Sequence, residues 1–390
     1  MGFSWRFKKV DAQYTRKIQM ANKVTFLQFG TGKFIKGYFD WILSKVDAEV
    51  EVFAAYFTPK QQYIDLKNNN CKYNVILKDI DSTQTDTIEV IKDIFFVKDT
   101  KTVLKLAHNA NFIVSNTTEK GILSKDNEGE SYPFILTSFL FEKFKLQNNQ
   151  TTVIIPLELV LNNGDFLKKS VLKLVKEYFD NNFKAWILKT CEFVNTLVDC
   201  IVIKESNLNI EREKYYAFYS SKNSLLENLF SKKNLNIYFT QDIDKIAQIK
   251  IRVLNGIHTF LAVTTFLESK STVYECFMDK NYASLIDEMF YSEILPTIDY
   301  DKCFVEDFYI KTLNRFKNHH IEHYLKDIAV NTYEKFYERI AKTIIDYERL
   351  YNKKPQILMR AFYNLKKMYP NNDNLNSFER YIESFADEKS

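Results

Sequence analysis

The segment Lys250-Ile-Arg-Val-Leu-Asn255-Gly-Ile-His258 puts a lysine, an amide and an imidazole close together in the chain. At ~100° per residue of an α-helix, Asn255 and His258 stand about 60° apart and Lys250 and His258 about 80° apart. All three can therefore face one cleft. A lysine ammonium can pass a proton to an oxygen that is becoming an alkoxide, and an amide and an imidazole can donate hydrogen bonds to the same oxygen. The same stretch also reads as a solvated lysine, a helical asparagine and a hydrogen-bonded core histidine. Spacing alone leaves both readings open.

A second set of residues suits a phosphate-bearing ligand. The apolar run 24–29 reads as a buried strand ending at Phe29 and leading into Gly30-Thr31-Gly32-Lys33-Phe34. A Gly-x-Gly turn lets backbone approach a pyrophosphate, and the next helix offers unpaired N–H groups. The third glycine of the full pattern is Ile35, and Gly37 falls two residues late. Three of only eight glycines in the chain lie within residues 30–37. The next strand, 51–57, ends in Thr58-Pro59-Lys60 without the carboxylate that usually binds a ribose. NAD against NADP stays open on that rule. Lys60 suits either a 2′-phosphate or bulk water.

These residues need elements to hold them. Strand, glycine turn, helix and strand in that order form the first unit of a dinucleotide-binding fold. Further strands are expected at 73–77, 87–91, 111–115 and 152–155, with a hairpin over 72–93. Helices are expected over 131–144 and 166–179, the second behind the turn Asn162-Asn163-Gly164-Asp165. From about Asp242 the pattern turns helical, at 249–267, 282–294, 320–329 and 332–347. The expected architecture is α/β: a Rossmann-type domain over residues 1–240 and an all-helical domain over 241–390. Residues 1–20 are polar and expected outside the core.

Composition narrows the class. The 390 residues carry a net charge of +4, which leaves no footprint for nucleic acid as main partner. The five cysteines, Cys71, Cys191, Cys200, Cys276 and Cys303, form no CxxC pair, so neither a disulfide framework nor a structural zinc site is expected. No apolar leader or membrane-spanning run is visible. The expectation is a soluble cytoplasmic protein, a monomer or homodimer with a small-molecule substrate, and no membrane partner.

Several short motifs occur together in one order. They are Leu27-Gln-Phe-Gly-Thr-Gly-Lys-Phe34 with Phe39-Asp-Trp41; Lys105-Leu-Ala-His-Asn109; Ser115-Asn116-Thr117-Thr118-Glu119; Ser131-Tyr-Pro133; Ile154-Ile-Pro156 with Glu158-Leu159 and Asn163-Gly-Asp165; Thr196-Leu-Val-Asp199; Lys250 with Leu254-Asn-Gly-Ile-His-Thr259; and Arg315-Phe-x-Asn318. In this combination the chain resembles the polyol-specific long-chain dehydrogenases, the mannitol dehydrogenase family, and most closely its uronate-reducing branch. The resemblance implies NAD as cofactor, no metal, and a site between a Rossmann-type and a helical domain. It implies Lys250 as general acid/base, with Asn255 and His258 on the substrate carbonyl. It also implies cofactor contacts at Phe29, Gly30, Thr31, Gly32, Lys33, Phe34, Ser115, Asn116, Thr117 and Thr118. Asn163, Asp199, Arg315 and His320 are the candidate substrate contacts.

Two positions depart from the family pattern. Cys200 stands where the family's Val-Asp-Arg signature has arginine, and Glu158-Leu159 where sugar-alcohol members have Asp-Asn. A dehydrogenase of a uronate or polyol and a cofactor-binding relative without chemistry are the two functional readings; retention of Lys250, Asn255 and His258 favours the enzyme. The trio His319, His320 and His323 lacks acidic partners for a metal. With Arg315 and Lys317 it reads as a cationic wall for a substrate carboxylate, or as an exposed basic face.

Overall fold

The computed structural model describes residues 23–99, 102, 105–106, 109–117, 121–122, 131–232, 234–265 and 270–387. The expectation for residues 1–20 lies outside this set. Strands β1 (Lys23–Phe29), β2 (Glu49–Tyr56), β5 (Ile91–Phe96), β6 (Phe112–Ser115), β7 (Thr152–Pro156) and β8 (Cys191–Phe193) form one sheet in the order β5-β2-β1-β6-β7-β8, all parallel. Helices cover both faces, which is why β6 and β7 are buried along their whole length instead of alternating. The chain leaves β1 towards β2 on one side and returns to β6 on the other. The C-terminal ends of β1 and β6 therefore flank the crevice where such sheets bind ligands.

The expected hairpin exists, as β3 (Tyr73–Lys78) against β4 (Thr83–Ile88). The strand expected at 87–91 does not. That window covers the end of β4 and the first residue of β5, which joins the parallel sheet as its edge. The hairpin instead pairs with β10 (Val202–Ser206) and β11 (Asn209–Glu213) in a second sheet, β10-β11-β3-β4. Gly37 lets the helix 33–43 lie on that sheet, because a Cβ there would come within 2.8 Å of Ile210 Cγ2. A third sheet joins β13 (Ile237–Phe239), β12 (Ala217–Ser220) and β9 (Thr196–Asp199), and ends at Asp199. The expectations from sequence omit β8 to β13. All are three to five residues long, and several carry charges that read as loop.

Beyond Asp242 the named elements are helical. A continuous helix over 243–264 packs Ile249, Val253, Ile257 and Phe260 into a core shared with Phe308, Phe336 and Phe362. The helix expected at 320–329 shrinks to the single turn Leu325–Ile328. Asn318 Oδ1 accepts from the His320 backbone N–H at 3.1 Å, and Thr272 bridges Tyr324, so this backbone is held in turns instead. Among the described residues no helix is long and apolar enough to cross a membrane.

Asp40 sits fully buried in the 33–43 helix behind the glycine turn, with Gln28 Nε2 at 3.5 Å and the Tyr73 hydroxyl at 3.2 Å donating to Oδ2. Burial outweighs these bonds and Lys36, and pushes its carboxyl up to about 7. The folded chain thus holds a proton that the unfolded chain releases near 3.8. Stability present below that pH is lost as pH rises towards 7. Asp40→Asn keeps the shape without the charge. Its Tm should exceed the wild-type Tm increasingly between pH 5 and 8; a constant difference across that range would refute a neutral Asp40.

Candidate functional site

Phe29 closes β1, and Gly30 turns with φ +108°, a conformation that suits glycine. A Cβ on Gly30 would meet the Asn116 carbonyl oxygen at 2.7 Å. Asn116 N–H donates to the Phe29 carbonyl at 2.9 Å, and Gly30 N–H to that of Ala55 at 3.0 Å, so the turn is clamped to both neighbouring strands. Thr31 is buried beside it. Gly32 caps the 33–43 helix with nothing within 4 Å of the direction a Cβ would take. A glycine at positive φ, open space at the next one and free helical N–H groups fit a dinucleotide pyrophosphate. Lys33 reaches away, donating to the Ile203 carbonyl at 2.8 Å, and Phe34 stacks on Tyr38.

The opposite lip is held by Glu158. Its carboxylate accepts from Ser115 Oγ at 3.0 Å and from the Thr117 N–H and hydroxyl at 2.9 and 3.0 Å. Burial pushes the Glu158 carboxyl up against those bonds. Thr118 lies outside the described residues. Leu159, at 71% exposed, touches none of this. The sequence marks Glu158 only as a departure from the family pattern; its role needs the pairing of β6 with β7 to become visible.

Four charges meet between the strands and the helices. Arg315, on the helix Lys302–Phe316, forks onto Glu213 through Nε at 2.9 Å and Nη2 at 2.8 Å, and donates through Nη1 to Asp199 at 3.0 Å. Lys250 Nζ stands 3.3 Å from the other Asp199 oxygen and donates to the Val198 carbonyl at 2.6 Å. Burial pushes the Asp199 carboxyl upward, but Arg315 and Lys250 outweigh it and hold it below the usual carboxylate range. Glu213 is not singled out by the sequence reading; both Arg212 and Glu213 are buried.

The helix 243–264 carries a π turn at Ile251–Asn255, between Lys250 and His258. In plain α-helix Lys250 stands about 140° from Asn255 and about 80° from His258. The π turn takes up one extra residue, close to one ~100° step, which cuts these to about 40° and about 20°. Asn255 and His258 line a cavity of about 390 Å³ with His323, Tyr324, Lys335 and Arg339. His258 Nε2 is closed off from solvent and has no partner among the described residues. Burial, then His323, Arg315 and Arg339, hold its imidazole well below the usual histidine range, so it stays neutral. The His323 ring stands 5.0 Å from that of His258, and burial with Arg315 brings its pKa down to about 4.

The candidate substrate contacts do not line this cavity. Arg315 spends all three nitrogens on Glu213 and Asp199, so it is no free ligand for a carboxylate. Asn163 is buried, with Nδ2 donating to the Pro156 and Glu158 carbonyls and Oδ1 accepting from the Gly164 and Thr196 N–H groups. It locks β7 to β9. Asp199 pairs with Lys250 and Arg315. The His320 ring lies tilted against His319, centroids 4.0 Å apart, and faces Lys78 and Glu211, while His323 turns inward, so the three histidines do not converge. At the Cys200 departure a guanidinium is present after all: Arg212 donates to the thiol sulfur at 3.3 Å and lies on the Trp41 ring. Burial pushes that thiol up to about 12.

A doubly wound parallel sheet with a glycine turn at its switch point, joined to a helical part that presents lysine, amide and imidazole, defines a dinucleotide-linked oxidoreductase. The chain belongs to the mannitol dehydrogenase family: residues 24–238 match the mannitol dehydrogenase Rossmann domain and residues 242–374 its C-terminal domain. It is 29% identical to an altronate oxidoreductase of Enterobacter sp. (strain 638), over 92% of this chain and 84% of the relative. To an Escherichia coli O1:K1 altronate oxidoreductase it is 28% identical, over 95% and 85%. Its fold is similar to that of a D-sorbitol dehydrogenase in substrate-free form (TM-score 0.73, 15% identity, 83% of this chain and 78% of that one). It is also similar to that of Pseudomonas fluorescens mannitol 2-dehydrogenase in a ternary complex with NAD and D-mannitol (TM-score 0.69, 16% identity, 88% and 79%).

Gly32→Asp tests the cofactor cradle without breaking the fold, because its Cβ meets no protein atom. NADH affinity in a fluorescence titration should fall by at least about tenfold, since a carboxylate would stand before the helix N-terminus, while Tm holds. Unchanged affinity would move the pyrophosphate elsewhere.

Proposed function

We propose that this chain reduces the keto group of D-tagaturonate to D-altronate with NADH, using Lys250 as the proton donor and no metal. The observation that carries this reading is the single face of the 243–264 helix on which Lys250, Asn255 and His258 align. The altronate oxidoreductases among its relatives support the choice of substrate. Bound at the glycine turn, NADH supplies the hydride that reduces the keto carbon.

The residues of the chain then handle the charge on oxygen. A lysine ammonium has three N–H donors. Val198 and Asp199 take two, which leaves one for the carbonyl oxygen. As the carbon gains hydride, negative charge grows on that oxygen and Lys250 gives it a proton. Asn255 donates from its amide. His258, neutral and with Nε2 unengaged, orients the same oxygen. Ketone, NADH and one proton are consumed; alcohol and NAD are formed. Positioned proton transfer contributes typically ~10²–10⁴ in rate, and a fixed donor to the oxyanion about 10²–10³.

Lys250→Ala should slow single-turnover NADH oxidation by tagaturonate at least ~100-fold with NADH affinity retained. Lys250→Arg should restore little, because the guanidinium stays protonated and its planar fork does not fit the lysine position. Near-normal turnover in Lys250→Ala would sink the mechanism. Faster reduction of fructose, or faster oxidation of mannitol, than turnover of the uronate pair would sink the substrate assignment alone.

A further inference from the structure

The cavity beside His258 has a charged wall that the proton-transfer chemistry does not use. Lys335 and Arg339 lie along the helical segment 332–351, the first in Thr332–Phe336 and the second in the π turn Tyr337–Ala341. Both are half-buried and both line the cavity with Asn255 and His258. Among the described residues neither makes an ion pair. Arg339 donates through Nη1 to Thr259 Oγ1 at 3.2 Å, and Lys335 donates to the Ile328 carbonyl at 2.8 Å. Arg339 Nε and Nη2 have no partner among the described residues. Glu322 and Asp327 also border the cavity, but both are exposed and neither lies within ion-pair distance of the two cations.

Glu338, exposed and beyond ion-pair distance, offsets these two half-buried charges only in part, and an anion that joined both would offset them further. Burial lowers the pKa of both groups, and for Lys335 the neighbouring Arg339 lowers it further. A planar carboxylate matches the free edge of the Arg339 guanidinium, and the lysine adds a second, rotatable donor. A hydroxyl would bring no charge to offset theirs.

We propose that Arg339 and Lys335 form the seat for the carboxylate of the substrate and select a keto-sugar acid over a neutral ketose. This rests on the reading of the Asn255–His258 cavity as the substrate pocket. The sequence leads one to expect such a cationic contact but at Arg315 and His320. The first is committed to Glu213 and Asp199, and the second faces away. The selection works through charge, so it adds affinity for the acid and a penalty for leaving two cations unpaired when a ketose enters.

The test compares D-gluconate with D-glucitol, a carboxylate and a neutral alcohol of equal chain length, by calorimetry on the NADH-bound chain. The wild type should bind the acid at least about tenfold tighter. That ratio should collapse towards one in the double variant Arg339→Gln/Lys335→Gln. There the amide that replaces the Arg339 guanidinium keeps an N–H for Thr259 and so preserves the fold. Arg339→Lys should retain part of the ratio. An absent preference in the wild type, or one that survives in the double variant, overturns the proposal. An acid preference without tagaturonate reduction overturns the function and leaves this seat standing. Tagaturonate reduction with a preference indifferent to both substitutions overturns the seat alone.

Discussion

Asp199, Glu213, Arg315 and Lys250 meet where the strands end and the helices begin, two negative and two positive charges, all largely shut off from water. Charges this deep are tolerable only when each is paired with good geometry. Here the Arg315 fork satisfies Glu213, its remaining nitrogen takes one Asp199 oxygen, and Lys250 takes the other. The carboxylates come from β9 and β11 and the cations from two separate helices. The helical part must therefore dock in one orientation, or leave a buried charge unpaired. That orientation brings Lys250 against Asp199 at the end of β9.

Two backbone devices finish the arrangement. At Gly30 the positive φ and the 2.7 Å approach to the Asn116 carbonyl leave no room for a side chain, so the turn presses β1 against β6. In the 243–264 helix the π turn rotates Asn255 and His258 back towards Lys250. A regular helix with the same residues would spread them over an arc of about 140°. In the proposed mechanism helix and turn serve the same oxygen: one side delivers the cofactor, the other the proton.

Much of this is legible from residue order. The strand, Gly30-Thr31-Gly32 and the helix behind it follow from local pattern, as does the change to helices after Asp242. Lys250, Asn255 and His258 stand out by type and spacing. What residue order does not carry is tertiary pairing. Glu213 sits in a short charged segment that nothing local marks, and only its pairing with Arg315, far along the chain, accounts for its burial. Asn163 and Arg315 have the chemistry of ligands, yet their hydrogen bonds are consumed within the fold. His323 belongs to a histidine cluster in sequence and to the His258 cavity in space, because Asn318 breaks the helix that would have carried it elsewhere. β5 merges with β4 in the sequence pattern because only two residues separate a hairpin strand from a parallel one.

In the proposed mechanism Asp199 acts on the chemistry by holding Lys250. A double-mutant cycle on single-turnover NADH oxidation tests it most directly. Asp199→Asn should slow the step at least about tenfold when Lys250 is present, and should add nothing measurable when Lys250 is already alanine. Equal slowing in both backgrounds would contradict the account, since Asp199 would then support the fold without directing the lysine.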